Sequence, residues 1–277
     1  MKTTRRPSTR VRALTVREGE RATAFEEVVT EEPLQLRAHG PGQPVRDLAV
    51  TMRTPGHDFE LAVGYLASLG VVNESADVRE VRYCDVEPGE PQLYNVVTVA
   101  TTHALPDRLF GRVAPVGASC GTCGSTSIGE VVVATEPIGP SAPIAVSLLV
   151  DLTERLRASQ RVFDLTGGIH AAGRFRRDGA LVAVREDVGR HNALDKVVGA
   201  SLLQGPAVVA DDVLVLSGRV SFEMVQKAAL AGFGTIVAVS APSSLAVQLA
   251  EEVGIAVLGF TRDGRTTVYS HPERIAD

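Results

Sequence analysis

Two rhythms of apolar and polar residues divide the chain. In its first third, segments 11–17, 24–30, 46–52, 78–86 and 94–100 are rich in Val, Thr and Tyr and partly alternate, which predicts strands. One helix interrupts them. Thr54-Pro55-Gly56-His57-Asp58 reads as a turn, and Leu61, Ala62, Tyr65, Leu66 and Leu69 then recur at helical spacing, predicting a helix over 57–69. The second half predicts a helix at 188–203, a strand at 213–217, a helix at 221–231, a strand at 235–240, a helix at 243–253 and a strand at 255–260. A turn at Asp263-Gly264 leads to a last strand at 266–270. Helices alternating with strands of Val, Ile and Leu are the pattern of a covered, mostly parallel sheet, so the fold class is α/β. No internal repeat is evident.

Composition narrows the function classes. The 277 residues are 44% hydrophobic and 22% charged, enough for one large domain or two modest ones with a core that needs no disulfide. The net charge of -5 and the absence of Trp argue against nucleic acid or an anionic membrane as partner. Five basic residues lie within Met1 to Arg12 without a following apolar run, so residues 1–12 read as a disordered tail rather than a secretory signal. The uncharged stretch Ala228 to Ala250 is long enough to span a bilayer, but its Gly, Pro and Ser residues divide it into helix, strand and helix. Three cysteines in such a chain indicate a reducing compartment, the cytoplasm, and functional thiols.

Two of those thiols carry the main chemical signal, Ser119-Cys120-Gly121-Thr122-Cys123-Gly124. It lies in segment 111–129, which has glycine at 111, 117, 121, 124 and 129 and no charge after Arg112, as expected of an accessible loop. A zinc site would need four ligands, and only Cys84 and scattered histidines remain. The zinc deaminases pair H-x-E with P-C-x-x-C; this chain has no H-x-E, and Ser119 replaces the proline. A dithiol oxidoreductase wants its motif at a helix start, whereas Gly-Ser-Thr-Ser-Ile-Gly follows Cys123. A sulfur relay needs only an accessible, partly ionised thiol that attacks the outer sulfur of a persulfide. Cys120 would be the carrier, with Cys123 either resolving the persulfide or sheltering it. The residues alone leave this relay and a merely exposed loop both open.

Three segments after predicted strands could hold an anion. Ser240-Ala241-Pro242-Ser243-Ser244 opens a helix, Ser217-Gly218-Arg219 follows the preceding strand, and Phe260-Thr261-Arg262-Asp263-Gly264-Arg265 offers two guanidiniums. Ligands of open α/β sheets favour such carboxyl ends, so the coincidence suggests a nucleotide-like anion. The bland alternatives are that the serines only cap helices and that Asp263-Gly264 is only a hairpin turn. In Glu186 to Lys196, Asp187 or Asn192 could cap a helix while Arg190 and His191 face a ligand; structural roles remain open for His191, His170 and Glu223.

Six blocks stand in order along the chain: Thr54 to Leu61, Ser119 to Gly124, Thr166 to Ala172, Glu186 to Lys196, Ser221 to Lys227 and Gly259 to Arg265. Together they resemble the FdhD family of formate dehydrogenase accessory sulfurtransferases. The resemblance runs from about residue 20 to the C-terminus. It implies a small N-terminal α+β domain, taken as 13–112, and a cytidine-deaminase-like three-layer α/β domain, 113–277, without the deaminase zinc. It further implies a homodimer and a relay in which a cysteine desulfurase loads Cys120 and the sulfur passes to bis-molybdopterin guanine dinucleotide. The cofactor would lie on Phe260, Thr261, Arg262, Asp263, Gly264 and Arg265 and be inserted into apo formate dehydrogenase. A rival in which Cys120 and Cys123 merely shield the cofactor, a non-catalytic chaperone, stays open.

Overall fold

A computed structural model describes residues 6–85, 90–110, 115–116, 137–205 and 207–277. Cys120 and Cys123, and the rest of the glycine-rich segment apart from 115–116, lie outside the described residues. The chain opens with a ribbon of β1 (Ser8–Arg17) and β2 (Glu20–Val29), antiparallel over their full length. Residues 8–12, expected in a disordered tail, are thus the start of a strand: Arg10 and Arg12 lie opposite Glu27 and Phe25, partners that a reading of the N-terminus alone does not supply.

Next comes a five-stranded sheet in the order β5-β6-β3-β4-β7. Its strands are β3 (Glu32–His39), β4 (Arg46–Arg53), β5 (Val78–Tyr83), β6 (Val96–Thr101) and β7 (Pro115–Val116). Leu34, Leu36 and Ala38 of β3 point inward with Val97 and Val99, and helix α1 (Asp58–Ala67) covers them with Leu61 and Leu66.

The second sheet has six strands in the order β10-β9-β11-β12-β13-β14. After the short β8 (Ile144–Ala145) come helices α2 (Val146–Ala158) and α3 (Arg161–Thr166), then β9 (His170–Phe175) and β10 (Leu181–Asp187). Helix α4 (Arg190–Gln204) follows, and then β11 (Val213–Leu216), α5 (Phe222–Ala231), β12 (Thr235–Ala238), α6 (Ser244–Val253), β13 (Ala256–Arg262) and β14 (Arg265–Ser270). The C-terminal β15 (Ile275–Ala276) pairs with β8. The sheet is less parallel than its strand–helix rhythm suggests. Among the described residues of this sheet only β11–β12 and β12–β13 are parallel, because the β9–β10 hairpin and the returning β14 add antiparallel neighbours at both flanks.

Alternation along the strands builds three layers. Val213, Val215, Val237 and Leu258 meet Leu149, Leu152 and Leu156 of α2 on one face. Leu214, Leu216, Ile236 and Val257 meet Leu194, Val197, Val225 and Ala250 of α4, α5 and α6 on the other. Ala228 to Ala250 forms the end of α5, β12 and most of α6, and among the described residues no helix is long and apolar enough to cross a membrane.

Helix α4 joins the two sheets. It is buried from His191 to Ser201, with the second sheet on one side and α1 on the other. The two helices meet at glycines. A Cβ on Gly64 would stand 1.8 Å from the Asp195 carbonyl oxygen, and one on Gly199 would stand 1.8 Å from that of Glu60. Such an approach leaves no room for any side chain. Flanking ion pairs fasten the crossing. Glu60 accepts from Arg185 at 2.5 and 2.7 Å and lies 3.2 Å from His57. Burial alone would raise its pKa, but those two partners bring it down to about 2. Asp195 accepts from Ser68 at 2.6 Å and from Lys227 at 2.6 and 2.7 Å.

Gly199→Ala should therefore cost about 3 kcal/mol and lower the melting temperature by roughly 6–12 °C. The control Gly139→Ala, where an added Cβ meets nothing within 4 Å among the described residues, should melt like the parent by calorimetry. Equal melting of the two variants would refute the close crossing.

Candidate anion-receiving site

The carboxyl ends of β11, β12 and β13 reach one edge of the second sheet. His170 at the start of β9 and Asp187 at the end of β10 reach it too, because β9 runs antiparallel to both β11 and β10. Main-chain bonds tie the loops there together: Val220 N–H donates to Ala241 at 3.2 Å, Ser243 to Val220 at 2.9 Å and Phe260 to Ser240 at 3.2 Å. The fold thus gathers Ser217-Gly218-Arg219, the Ser240–Ser244 turn and Phe260 at a single rim.

The rim is basic. Arg219 is exposed, and Arg190 begins α4 half-buried. His170, also half-buried, has its pKa pushed below the usual histidine range, first by burial and then by the Arg190 charge, with His191 and Arg219 adding to it and Asp187 opposing. Its ring packs against Gly218, where a Cβ would come 3.3 Å from Nδ1. His191 is buried, with Nε2 2.7 Å from a Glu223 carboxylate oxygen, while its Nδ1 finds no hydrogen-bond partner among the described residues. The buried hydroxyl of Ser221, at the N-cap of α5, is likewise without one. Burying donors unmatched is costly, so the edge holds polar groups that a ligand or water could satisfy.

The serines differ in role. Ser243 accepts from Ala246 N–H at 3.3 Å and is an ordinary cap of α6, while Ser217 accepts from Ala171 N–H at 2.8 Å and fastens β9. At the β13–β14 corner, Asp263 and Gly264 have φ of 51° and 73°, a two-residue hairpin turn closed by Arg262 opposite Arg265. Both arginines are exposed and share one side of the hairpin. Thr261 is buried and hydrogen-bonds Thr266 at 2.8 Å, whereas Phe260 is exposed with φ of 52°. At ordinary strand spacing, β9 and β13 lie about 14 Å apart, so the basic groups are spread along the rim.

Asp187 underpins this edge in a way the sequence pattern did not disclose. One carboxylate oxygen accepts from Gly189 N–H at 2.8 Å and Asn192 at 3.0 Å; the other accepts from Thr54 N–H at 3.1 Å and lies 2.7 Å from Lys196 Nζ. Thr54 answers by accepting from Val188 N–H at 3.1 Å and, through its carbonyl, from Lys196 at 2.9 Å. Asn192 donates to the Met52 carbonyl at 2.8 Å. Gly189 is the N-cap of α4, so Asp187 assists that start from two residues away and Asn192 turns toward β4. The polar density of 186–196 was visible in sequence; its inward direction was not, since only the fold shows α4 covered on both sides.

These features define an α/β protein with a basic edge, at the carboxyl ends of its central strands, suited to receive an anion. The FdhD/NarQ family model matches residues 29–276, and the chain belongs to that family. A sulfur carrier protein FdhD from Streptomyces coelicolor is 46% identical over 277 residues, covering 98% of this chain and 96% of the relative. A protein of the same name from Mycolicibacterium paratuberculosis is 44% identical over 263 residues, covering 93% and 94%. In fold, the chain resembles a crystal structure from Desulfotalea psychrophila assigned as a formate dehydrogenase accessory protein, with a TM-score of 0.75, 24% identity and coverage of 97% and 99%.

An anion at this edge should favour protonated His170. Because the pKa of His170 is lowered, it is neutral at pH 7 and gains charge only as the pH falls below the usual histidine range. Calorimetric titration with pyrophosphate should show wild type binding increasingly better than His170→Gln as the pH drops, and the two alike above pH 7. A ratio constant with pH would remove His170 from the site.

Proposed function

We propose that the chain is a sulfur carrier serving formate dehydrogenase. The observation that carries this reading is its near end-to-end identity of 46% with a relative named sulfur carrier protein FdhD, in a chain that holds Cys120-Gly121-Thr122-Cys123. The Cys120 thiolate attacks the outer sulfur of a donor persulfide, the donor's S–S bond breaks, the donor leaves as thiolate, and Cys120 holds the persulfide. No external oxidant is needed. A cysteine desulfurase is the donor, which makes the activity that of a sulfurtransferase, and Cys123 assists or shelters the loaded sulfur.

The acceptor is bis-molybdopterin guanine dinucleotide, bound as substrate and delivered to apo formate dehydrogenase. Its pyrophosphate groups suit a rim that carries Arg190, Arg219 and His170, with Arg262 and Arg265 on the neighbouring hairpin. Phe260 to Arg265 supply the cofactor contacts in this reading. Exposed Phe260 offers an apolar face, and the positive φ of Asp263 and Gly264 turns the two arginines onto one side.

Mixing the full chain with a desulfurase and free cysteine should add one sulfur to the intact mass of wild type and none to Cys120→Ala. An unloaded wild type, or a loaded Cys120→Ala, would defeat the relay. For the acceptor, Arg265→Ala should weaken GDP binding about tenfold, as expected for losing a charged hydrogen bond. Unchanged affinity would take Arg265 out of the contact set.

A further inference from the structure

The residues after β14 take no part in the basic edge. His271 turns the chain with φ of 49°, Pro272–Arg274 make one turn of 3-10 helix, and β15 follows. This C-terminal hook lies on residues 138–143, a linker that leads into β8 and α2. In sequence, the linker comes after the segment that holds Cys120 and Cys123. It contains Pro140 and Pro143 and forms neither helix nor strand, so its main-chain groups need partners from elsewhere.

Those partners come largely from the hook. Ile138 N–H donates to the Val253 carbonyl at 2.8 Å, and a Cβ on Gly254 would stand 2.8 Å from the Ile138 oxygen, so the linker starts pressed against the end of α6. Arg274 then donates to Ser141 Oγ at 2.6 Å, to the Gly139 carbonyl at 2.7 Å and to the Ile138 carbonyl at 3.2 Å. Arg177 holds the Ala142 and Pro143 carbonyls, and Ile275 and Ala276 pair with Ile144 and Ala145. Arg274 is only 5% exposed, and its three acceptors are uncharged. Stranding a buried guanidinium is costly, so Arg274 and the linker keep or lose their places together.

One ionisable ring fastens the hook in turn. His271 Nδ1 lies 2.6 Å from a Glu273 carboxylate oxygen, while Nε2 lies 3.1 Å from the Glu251 carbonyl of α6 and 3.7 Å from its carboxylate. Both ring nitrogens face acceptors, and only the protonated ring can donate to both. We propose that the hook is a pH-sensitive strap on residues 138–145, with His271 as its catch and Arg274 as its clamp. Losing the ring proton costs the catch one of its two bonds, and the strap then opens more often. Glu273 on the hook and Glu251 on α6 are the charged groups acting on the ring; the linker carries none from Ile138 to Pro143. Burial by itself would lower the His271 pKa, but the bonds and charges of Glu273 and Glu251 outweigh it and raise the pKa above the usual histidine value. The catch therefore acts fully below about pH 6.5 and is lost as the pH climbs through the raised value.

Hydrogen exchange of the full chain, read by mass spectrometry on peptides covering 138–145, tests the strap. At about pH 6 these peptides should exchange roughly two- to fivefold more slowly in wild type than in His271→Asn, and at about pH 9 the two should match. Comparison at equal pH cancels the intrinsic pH dependence of exchange, and asparagine tolerates the left-handed backbone at this position. Arg274→Gln should speed exchange of the same peptides at both pH values. Peptides from β11 and β12 should be protected alike in all three proteins, which separates opening of the strap from loss of the fold. If Arg274→Gln does not fold, the His271→Asn comparison decides alone. A ratio of wild type to His271→Asn that stays constant with pH, or a linker as protected in folded Arg274→Gln as in wild type, would overturn the proposal.

Discussion

Two glycines set the terms for everything else in this molecule. Gly64 and Gly199 let α1 and α4 touch backbone to backbone, and that contact draws the five-stranded sheet against the six-stranded one. Helix α4 is thereby enclosed on both sides. An enclosed helix needs internal partners for its polar residues, and three of them are fully engaged: Lys196 meets Asp187, Asn192 meets the Met52 carbonyl, and Asp195 meets Ser68 and Lys227. Removing one member of these pairs would strand the other, so the set persists as a unit.

The basic edge inherits its rigidity from that enclosure. Asp187 accepts from Thr54 of the first sheet's connection and from Gly189 at the start of α4, with Lys196 alongside. Arg190 and His191 therefore leave a backbone pinned from both halves, and His170 faces them from the adjoining strand. Half-buried or buried groups held in this way, such as Arg190 and His191, would receive an anion at a smaller ordering cost than exposed side chains.

Much of this was legible in the chain, for identifiable reasons. Helices α5 and α6 and strands β11 and β12 stand out because runs of Val, Ile, Leu and Ala are cut cleanly by Gly232 and Gly254, both in the left-handed conformation. The Asp263-Gly264 turn is equally plain. Strand β3 escaped because its inward residues Leu34, Leu36 and Ala38 include no β-branched side chain, and β9 because Ala171, Ala172 and Gly173 have weak strand preference. Their burial, decided by distant neighbours, overrode propensity; a Cβ at Gly173 would already press on Leu156 of α2. In the candidate site, the three loop sequences could be named from their positions after strands. Bringing His170 to Arg190 and Arg219 required the antiparallel placement of β9, which periodicity does not encode.

The helix crossing also bears on how the protein is made. Ser68 and Asp195, which bond across it, are 127 residues apart. At about 5–20 residues per second, a ribosome would need roughly 6–25 s to deliver the second helix after the first. Throughout that interval α1 has a small-residue surface with nothing to seat against, and for most of it its own sheet is complete through β6. The first half of the nascent chain thus waits as a half-closed clasp, and the arrival of α4 fastens it.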